Sequence, residues 1–418
     1  MDRKIANMDI NVVAPGLRFP DFTDKWELKT LGELATKVNR RNRQLQISRV
    51  LTNSATEGVI DQNDYFDRDI AVKENTENYH IVETGDFVYN PRISVSAPVG
   101  PISVNKVGTG IMSPLYTIFK FRDGYIPFFE QYFQTKIWHP YLKSIANFGA
   151  RFDRMNITTE GFFNMPVVIP SFAEQKKIAE CLEAEDRMIS AQEQKVESLK
   201  AHKKGLMQQL FPQPGATIPA LRFPGFTGDW QEKKFKDITV PAGKKNRQNI
   251  PYERYSISNE DGFYPQSSQF EDGGGYLKDI DCRQYIIVPP KSFAYNPARI
   301  NVGSIGYQDL GKDVIVSSLY EVFQTKDGID DAFLWQWFHT DIFRRMVINV
   351  QEGGVRQYFF YEKLRECSVN LPTLSEQKII AACLEAEDQM IAAQEQKVES
   401  LKTHKKGLMQ QLFPQLVK

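Results

Sequence analysis

Forty residues, Glu174–Gln213, return as Glu376–Gln415 at an offset of 202, with only five changes between the copies. Both copies carry Cys-Leu-Glu-Ala-Glu-Asp, at 181–186 and 383–388, and His-Lys-Lys-Gly-Leu-Met-Gln-Gln-Leu-Phe-Pro, at 202–212 and 404–414. A chain that repeats itself at this distance builds one architecture twice. At 418 residues it also exceeds what one hydrophobic core normally organises, so two globular units are expected.

The repeated segment has a helical period. Its apolar positions are Leu182, Ile189, Val196, Leu199, Leu206 and Leu210 in the first copy, and Leu384, Ile391, Val398, Leu401, Leu408 and Leu412 in the second. No proline interrupts either run before Pro212 and Pro414, while Ser171 and Ser375 supply start signals. Roughly 38 residues at helical rise would reach on the order of 57 Å, a length suited to a coiled coil in which each copy packs against the other. Glu387, Gln394 and Lys405 fall on seam positions, where polar groups cost stability but fix register.

Outside the helices the duplication is fainter. Leu-Arg-Phe-Pro at 17–20 returns at 221–224, and Trp26 finds a counterpart in Trp230. Tyr89-Asn90-Pro91 is echoed by Tyr295-Asn296-Pro297, with Arg92 and Arg299 close behind. Ser113, Leu115 and Tyr116 match Ser317, Leu319 and Tyr320. Gly149-Ala150-Arg151 corresponds to the run of Gly353 and Gly354 that ends at Arg356. Short β-rich runs at Ile81-Val82, Phe87–Tyr89, Leu115–Phe121, Ile286–Val288 and Tyr320–Phe323 alternate with helical patterns over Phe128–Ala146 and Asp331–Val350. The fold class is therefore α+β, a mixed α/β domain in two tandem copies. The expected division is a conserved N-terminal segment 1–25, globular domains 26–170 and 230–372, long helices 171–212 and 373–414, and a linker 213–229 that repeats the N-terminal segment.

Lys and Arg together number 52, as do Asp and Glu, so net charge argues for no particular partner and charge has to be read locally. Between Leu34 and Thr56 there is no acidic residue, and Lys37, Arg40, Arg41, Arg43 and Arg49 interleave with Asn39, Asn42, Gln44 and Gln46. Lys244, Lys245, Asn246, Arg247, Gln248 and Asn249 stand at nearly the same place in the second half. Such runs suit DNA: Arg and Lys neutralise phosphates, while Asn, Gln and Arg can make paired bonds to base edges. Asn90, Arg92, Arg151, Asn296, Arg299 and Arg356 are further candidates, with turn chemistry and intradomain ion pairs as the alternative roles.

Catalytic patterns are missing from the sequence. There is no phosphate loop of the Gly-x-x-x-x-Gly-Lys-Ser/Thr kind, and Gly273–Gly275 lies in no strand-to-helix context. Asn90-Pro91-Arg92 and Asn296-Pro297-Ala298 lack the second proline of an amino-methyltransferase motif. The five histidines and four cysteines show no metal-ligand spacing, and Asp64, Asp67 and Asp69 read as a solvated acidic loop. No metal site is expected. No apolar run is long enough to span a bilayer, so the expectation is a reduced, cytoplasmic protein without a membrane partner.

Divergent globular halves alternating with near-constant helices, Ser171-x-x-Glu174-Gln175, Leu374-Ser375-Glu376-Gln377, and the repeated Lys-Lys-Gly-Leu-Met-Gln-Gln-Leu-Phe-Pro together resemble the specificity subunit of a Type I restriction-modification system. The resemblance spans essentially the whole chain. It implies two target recognition domains, each reading half of a bipartite site in double-stranded DNA, with the long helices paired as an antiparallel coiled coil in a pseudo-two-fold arrangement. It further implies that the helices set the spacing and dock two modification (methyltransferase) subunits, with ATP-dependent restriction subunits joining the complex. S-adenosylmethionine, ATP and Mg would then sit on those partners, and this chain would bind no cofactor and perform no catalysis. A non-catalytic coiled-coil scaffold with duplicated protein- or glycan-binding domains would account for the helices but not for the matched basic runs.

Overall fold

The computed structural model describes residues 11–62, 76–147, 153–258, 262–269, 281–350 and 358–417. The chain divides into two compact units, one formed by Met1–Gln192 with Lys397–Lys418 and the other by Glu193–Gln396. Each long helix, Phe172–Leu210 and Leu374–Leu412, is 39 residues and contributes one part to each unit. The compact units thus cut across the linear segments read from sequence.

The first unit is centred on a four-stranded antiparallel sheet in the order Ala35–Lys37, Thr117–Phe121, Phe87–Tyr89, Ile102–Val104. The register sets Phe119 opposite Phe87, and their rings stack at 5.5 Å. The helix Ile126–Gln134 covers these rings with Phe128, Phe129, Tyr132 and Phe133, all buried; Phe129 lies 3.7 Å from Phe121 in a parallel stack. Each such ring removed from water contributes about 1.5–3 kcal/mol, which assigns the aromatic residues of this helix to the core.

The second unit repeats this topology with different side chains. Its sheet runs Thr239–Pro241, Glu321–Thr325, Ser292–Tyr295, Ile305–Gln308, and Phe323 lies opposite Phe293 with rings stacked at 5.2 Å. In both units a further strand pair closes the fold onto the start of the conserved helix. In the first, Glu27–Thr30 pairs with Pro166–Ile169; in the second, Gln231–Lys234 pairs with Ser368–Leu371.

Three local features differ from the sequence reading. Phe128–Ala146 is two helices, Ile126–Gln134 and His139–Ile145, because Thr135 turns extended and its hydroxyl bonds back to the Tyr132 carbonyl at 2.6 Å. Asp331–Val350 likewise breaks into Asp331–Phe338 and Asp341–Val350, where the Thr340 hydroxyl accepts from the Phe343 amide at 3.3 Å. Finally, Ser171 caps the first long helix by accepting from the Glu174 amide, but in the second it is Thr373 that accepts from Glu376, and Ser375 lies inside the first turn.

Within the first unit, Lys405 bonds Asp186 at 2.6 Å and His404 faces Glu185, while Ile178 and Leu182 share a core with Leu408 and Leu412. The two helix segments there run antiparallel. Within the second unit, Lys200 pairs with Glu395 and Lys203 with Asp388, so one segment advances as the other recedes. Leu182, Ile189, Val196, Leu210, Leu384, Ile391, Val398 and Leu412 are buried; Leu199, Leu206, Leu401 and Leu408 are half-buried. Met207, Glu387 and Lys405 are buried beside them.

The segment before each globular part docks on the end of a long helix. The Leu17 amide donates to the Gln411 carbonyl at 3.0 Å, and Leu221 to Gln209 at 2.9 Å. In the first unit the strand Asn11–Val13 also pairs antiparallel with Gln415–Val417.

Candidate nucleic-acid interface

The basic runs form similar loops in the two units, the second one residue shorter between its bracing asparagine and the isoleucine that asparagine binds. Asn42 is 2% exposed, and its side-chain amide both donates to the Ile47 carbonyl at 2.8 Å and accepts from the Ile47 amide. Asn246, 1% exposed, does the same with Ile250 at 2.9 and 3.0 Å. Three residues on, Leu45 and Asn249 both take φ of 52°, the left-handed conformation that reverses the chain. These two asparagines therefore close the loop from within. Their amides are engaged by backbone and are not free for adenine edges.

The cations of the first loop have different surroundings. Arg40 is ion-paired with Glu83 and with the buried Asp86, whose carboxyl burial pushes above its usual range despite the guanidinium. Arg41 donates to the Asn78 carbonyl, Arg49 bonds Asp61 at 2.8 Å, and Lys37 reaches the Thr159 hydroxyl at 3.0 Å. Arg43 is exposed with no side-chain partner among the described residues, and Gln44 beside it accepts from Gln46. In the second loop Lys245 bonds Gln284 at 3.0 Å, while Lys244, Arg247 and Gln248 are exposed.

The loop is tied to a second feature by strand pairing. Arg41 bridges to His80, and His80 pairs with Met112, the last residue before the turn at Ser113–Tyr116. Lys245 pairs with Ile286, and Ile286 with Val316, the last residue before Ser317–Tyr320. His80 itself is buried and held neutral: burial pushes its pKa down to about 4, with Arg41 and Lys37 adding to the effect.

The Asn-Pro turns have a structural component. Asn90 is buried, donates to the Asn53 carbonyl at 3.0 Å and accepts from the Arg92 amide. Asn296 accepts from the Ala298 amide at 3.0 Å. Arg92 and Arg299 stand exposed on these turns. Arg151 and Arg356 lie outside the described residues, as do Asp64, Asp67, Asp69 and Gly273–Gly275.

A second repeated feature lies along the long helices, which the sequence reading treated mainly as a pairing seam. In the second unit a groove of about 700 Å³ has Lys204, Met207 and Gln208 on one wall and Thr340, Ile342 and Arg345 on the other. In the first unit the equivalent groove, about 520 Å³, sets Lys406, Met409 and Gln410 against Thr135, Ile137 and Pro140. The long-helix wall is identical in sequence in the two units and the opposite wall is not. Among the described residues no cluster of three His, Cys, Asp or Glu could hold a metal ion, and no helix is long and apolar enough to cross a membrane.

Residues 227–403 match the family model described as Type I restriction modification DNA specificity domain. Among curated proteins, the chain is 24% identical to the Type I restriction enzyme MjaVIII specificity subunit of Methanocaldococcus jannaschii over 60% of its own length. That match spans 62% of the relative. The putative type I restriction enzyme MjaX specificity subunit of the same organism is 21% identical over 94% of both chains. Among solved structures, the S subunit of a Type I restriction-modification system from M. genitalium superposes with a TM-score of 0.53 at 12% identity, covering 97% of this chain and all of that one. A chain from a study of complex assembly and conformational transition in the type I R-M system gives 0.59 at 13% identity, covering 94% and 98%.

Proposed function

We propose that this chain, which belongs to the family of Type I restriction-modification specificity subunits, reads a bipartite and asymmetric DNA target, one half with each globular unit. The observation that carries this reading is a basic loop braced by a buried asparagine in each of two units that share a topology and differ in most of their side chains. Asn42 and Asn246 brace the two loops from within, and Arg43-Gln44 and Arg247-Gln248 follow them alike, while the flanking residues differ, Arg41 and Leu45 in one unit against Lys245 and Asn249 in the other. A shared basic contact set among diverged neighbours is what two unequal half-sites require, and one covalent chain with two unlike readers need not recognise a palindrome.

Catalysis belongs, in this reading, to partner subunits that carry S-adenosylmethionine, ATP and Mg. Two methyltransferase subunits dock along the long helices, where the grooves beside Met207 and Met409 offer one surface twice. Helix length sets the number of base pairs between the half-sites. Restriction subunits join the assembled complex.

The test is a map of methylated adenines in a host carrying this gene with its modification partner. The expected result is one bipartite motif that disappears when the gene is deleted; an unchanged methylome sinks the proposal. Replacing residues 221–372 by the corresponding region of another specificity subunit should alter one half-site and leave the other intact.

A further inference from the structure

Each unit exposes one leucine at the same turn, and the DNA-reading proposal above gives it no role. Leu115 is 51% exposed and Leu319 is 69% exposed, and neither belongs to a hydrophobic core cluster. Single exposed leucines are ordinary. What is not ordinary is retention of the same one, in the same Ser-x-Leu-Tyr turn, by two units that outside the long helices share only a few short landmarks.

The turn is rigid in both. The Tyr116 amide donates to the Ser113 carbonyl and the Tyr320 amide to Ser317, each at 3.1 Å. The tyrosine then anchors the turn to the neighbouring hairpin. Tyr116 Oη shares a 3.1 Å hydrogen bond with Thr52, and Tyr320 Oη accepts from the Ile257 amide at 3.5 Å. With the tyrosine anchored, the leucine before it stays in solvent.

Its surroundings are cationic. In the first unit Leu115, Arg92 and Arg154 line one cleft of about 220 Å³. In the second, Arg299 stands exposed on the Asn-Pro turn, and its charge acts on the Tyr320 hydroxyl. The strand ladders put Arg41 and Lys245 two strands from the residue that enters each turn, about 10 Å away at ordinary strand spacing. An apolar tip with cations on neighbouring elements matches duplex DNA, whose charged backbone flanks apolar sugar and base surfaces.

We propose that Leu115 and Leu319 are sequence-independent apolar contacts to the duplex, packing against deoxyribose and base surfaces in the minor groove while the surrounding side chains that differ between the units do the reading. The inference rests on the DNA-reading function proposed above. A residue that reads bases has to differ between unequal half-sites; one that seats the domain on any duplex is the same in both.

The experiment uses the full chain assembled with its modification subunits and a duplex carrying the motif found by methylation mapping. Leu115→Ala and Leu319→Ala should each weaken binding about tenfold, the loss of an apolar contact of roughly Leu-to-Ala size. The slope of log affinity against log salt should stay unchanged, since no phosphate contact is removed. The methylated motif should be the same, and Leu115→Met and Leu319→Met should restore affinity. Melting curves of the alanine variants should match the parent, because the side chains are in water. Unchanged affinity, or an altered motif, overturns the proposal. So does loss of complex assembly at unchanged DNA affinity, which would make the leucines a protein contact. A parent complex that binds no DNA at low salt removes the underlying function as well, and is read independently of the variants.

Discussion

The guanidinium of Arg18 holds the buried carboxylate of Glu174 through two parallel hydrogen bonds, Nε to Oε1 and Nη2 to Oε2, each 2.8 Å. Arg222 holds Glu376 the same way at 2.7 and 2.8 Å. Both glutamates are at most 1% exposed, and both open a long helix. The pair clamps the Leu-Arg-Phe-Pro segment of each unit to the start of its conserved helix.

Removing one partner leaves a desolvated charge. Arg18→Ala should therefore cost about 3–5 kcal/mol, far more than loss of a surface ion pair. Urea denaturation should show it, with the double variant Arg18→Ala/Glu174→Gln recovering part of the loss. Arg222→Ala should act in the same direction on the second unit.

Leu182 and Leu384 are the same repeat position and both are fully buried. Leu182→Ala and Leu384→Ala should each destabilise by about 2–5 kcal/mol through transfer and cavity terms. Leu199→Ala, at a half-buried position, should cost clearly less. Equal effects at Leu182 and Leu199 in chemical denaturation would argue against this ranking of the seam.

The arginines of the first loop should separate by partner. Arg43→Ala should weaken DNA binding by the assembled complex evenly across sequences, and lower the salt slope by about 1 if Arg43 contacts phosphate. Arg40→Ala should instead destabilise the unit, because Asp86 would lose its counter-charge. Binding isotherms at several salt concentrations, beside melting curves, distinguish the two.

Two histidines, His80 and His139, are held below their ordinary pKa, at about 4, chiefly by burial. Neighbouring cations, Arg41 and Lys37 at His80 and Lys136 and Lys143 at His139, act in the same direction. The native side chains are neutral, so between pH 6.5 and about 4 the unfolded chain binds more protons and stability falls as pH falls. For His80, 4% exposed, the loss between pH 7.5 and pH 5 should be about 2 kcal/mol. Replacing it by Asn should flatten the pH dependence of the urea midpoint by that amount.

The sequence alone determined the doubling, the long helices and the apolar seam from Leu182 to Leu412, because periodicity and repetition are properties of the chain itself. It also located the basic runs. Tertiary structure decided which members of those runs face solvent. Arg40 and Arg43 look alike in sequence, yet one is paired with Asp86, forty-six residues on, and the other is exposed. Asn42 and Asn246, members of those runs in sequence, are the internal braces of the loops. The break at Thr135, the cap at Thr373 and the exposure of Leu115 have the same origin. Each depends on what a side chain meets after distant segments pack together, and no local pattern carries that information.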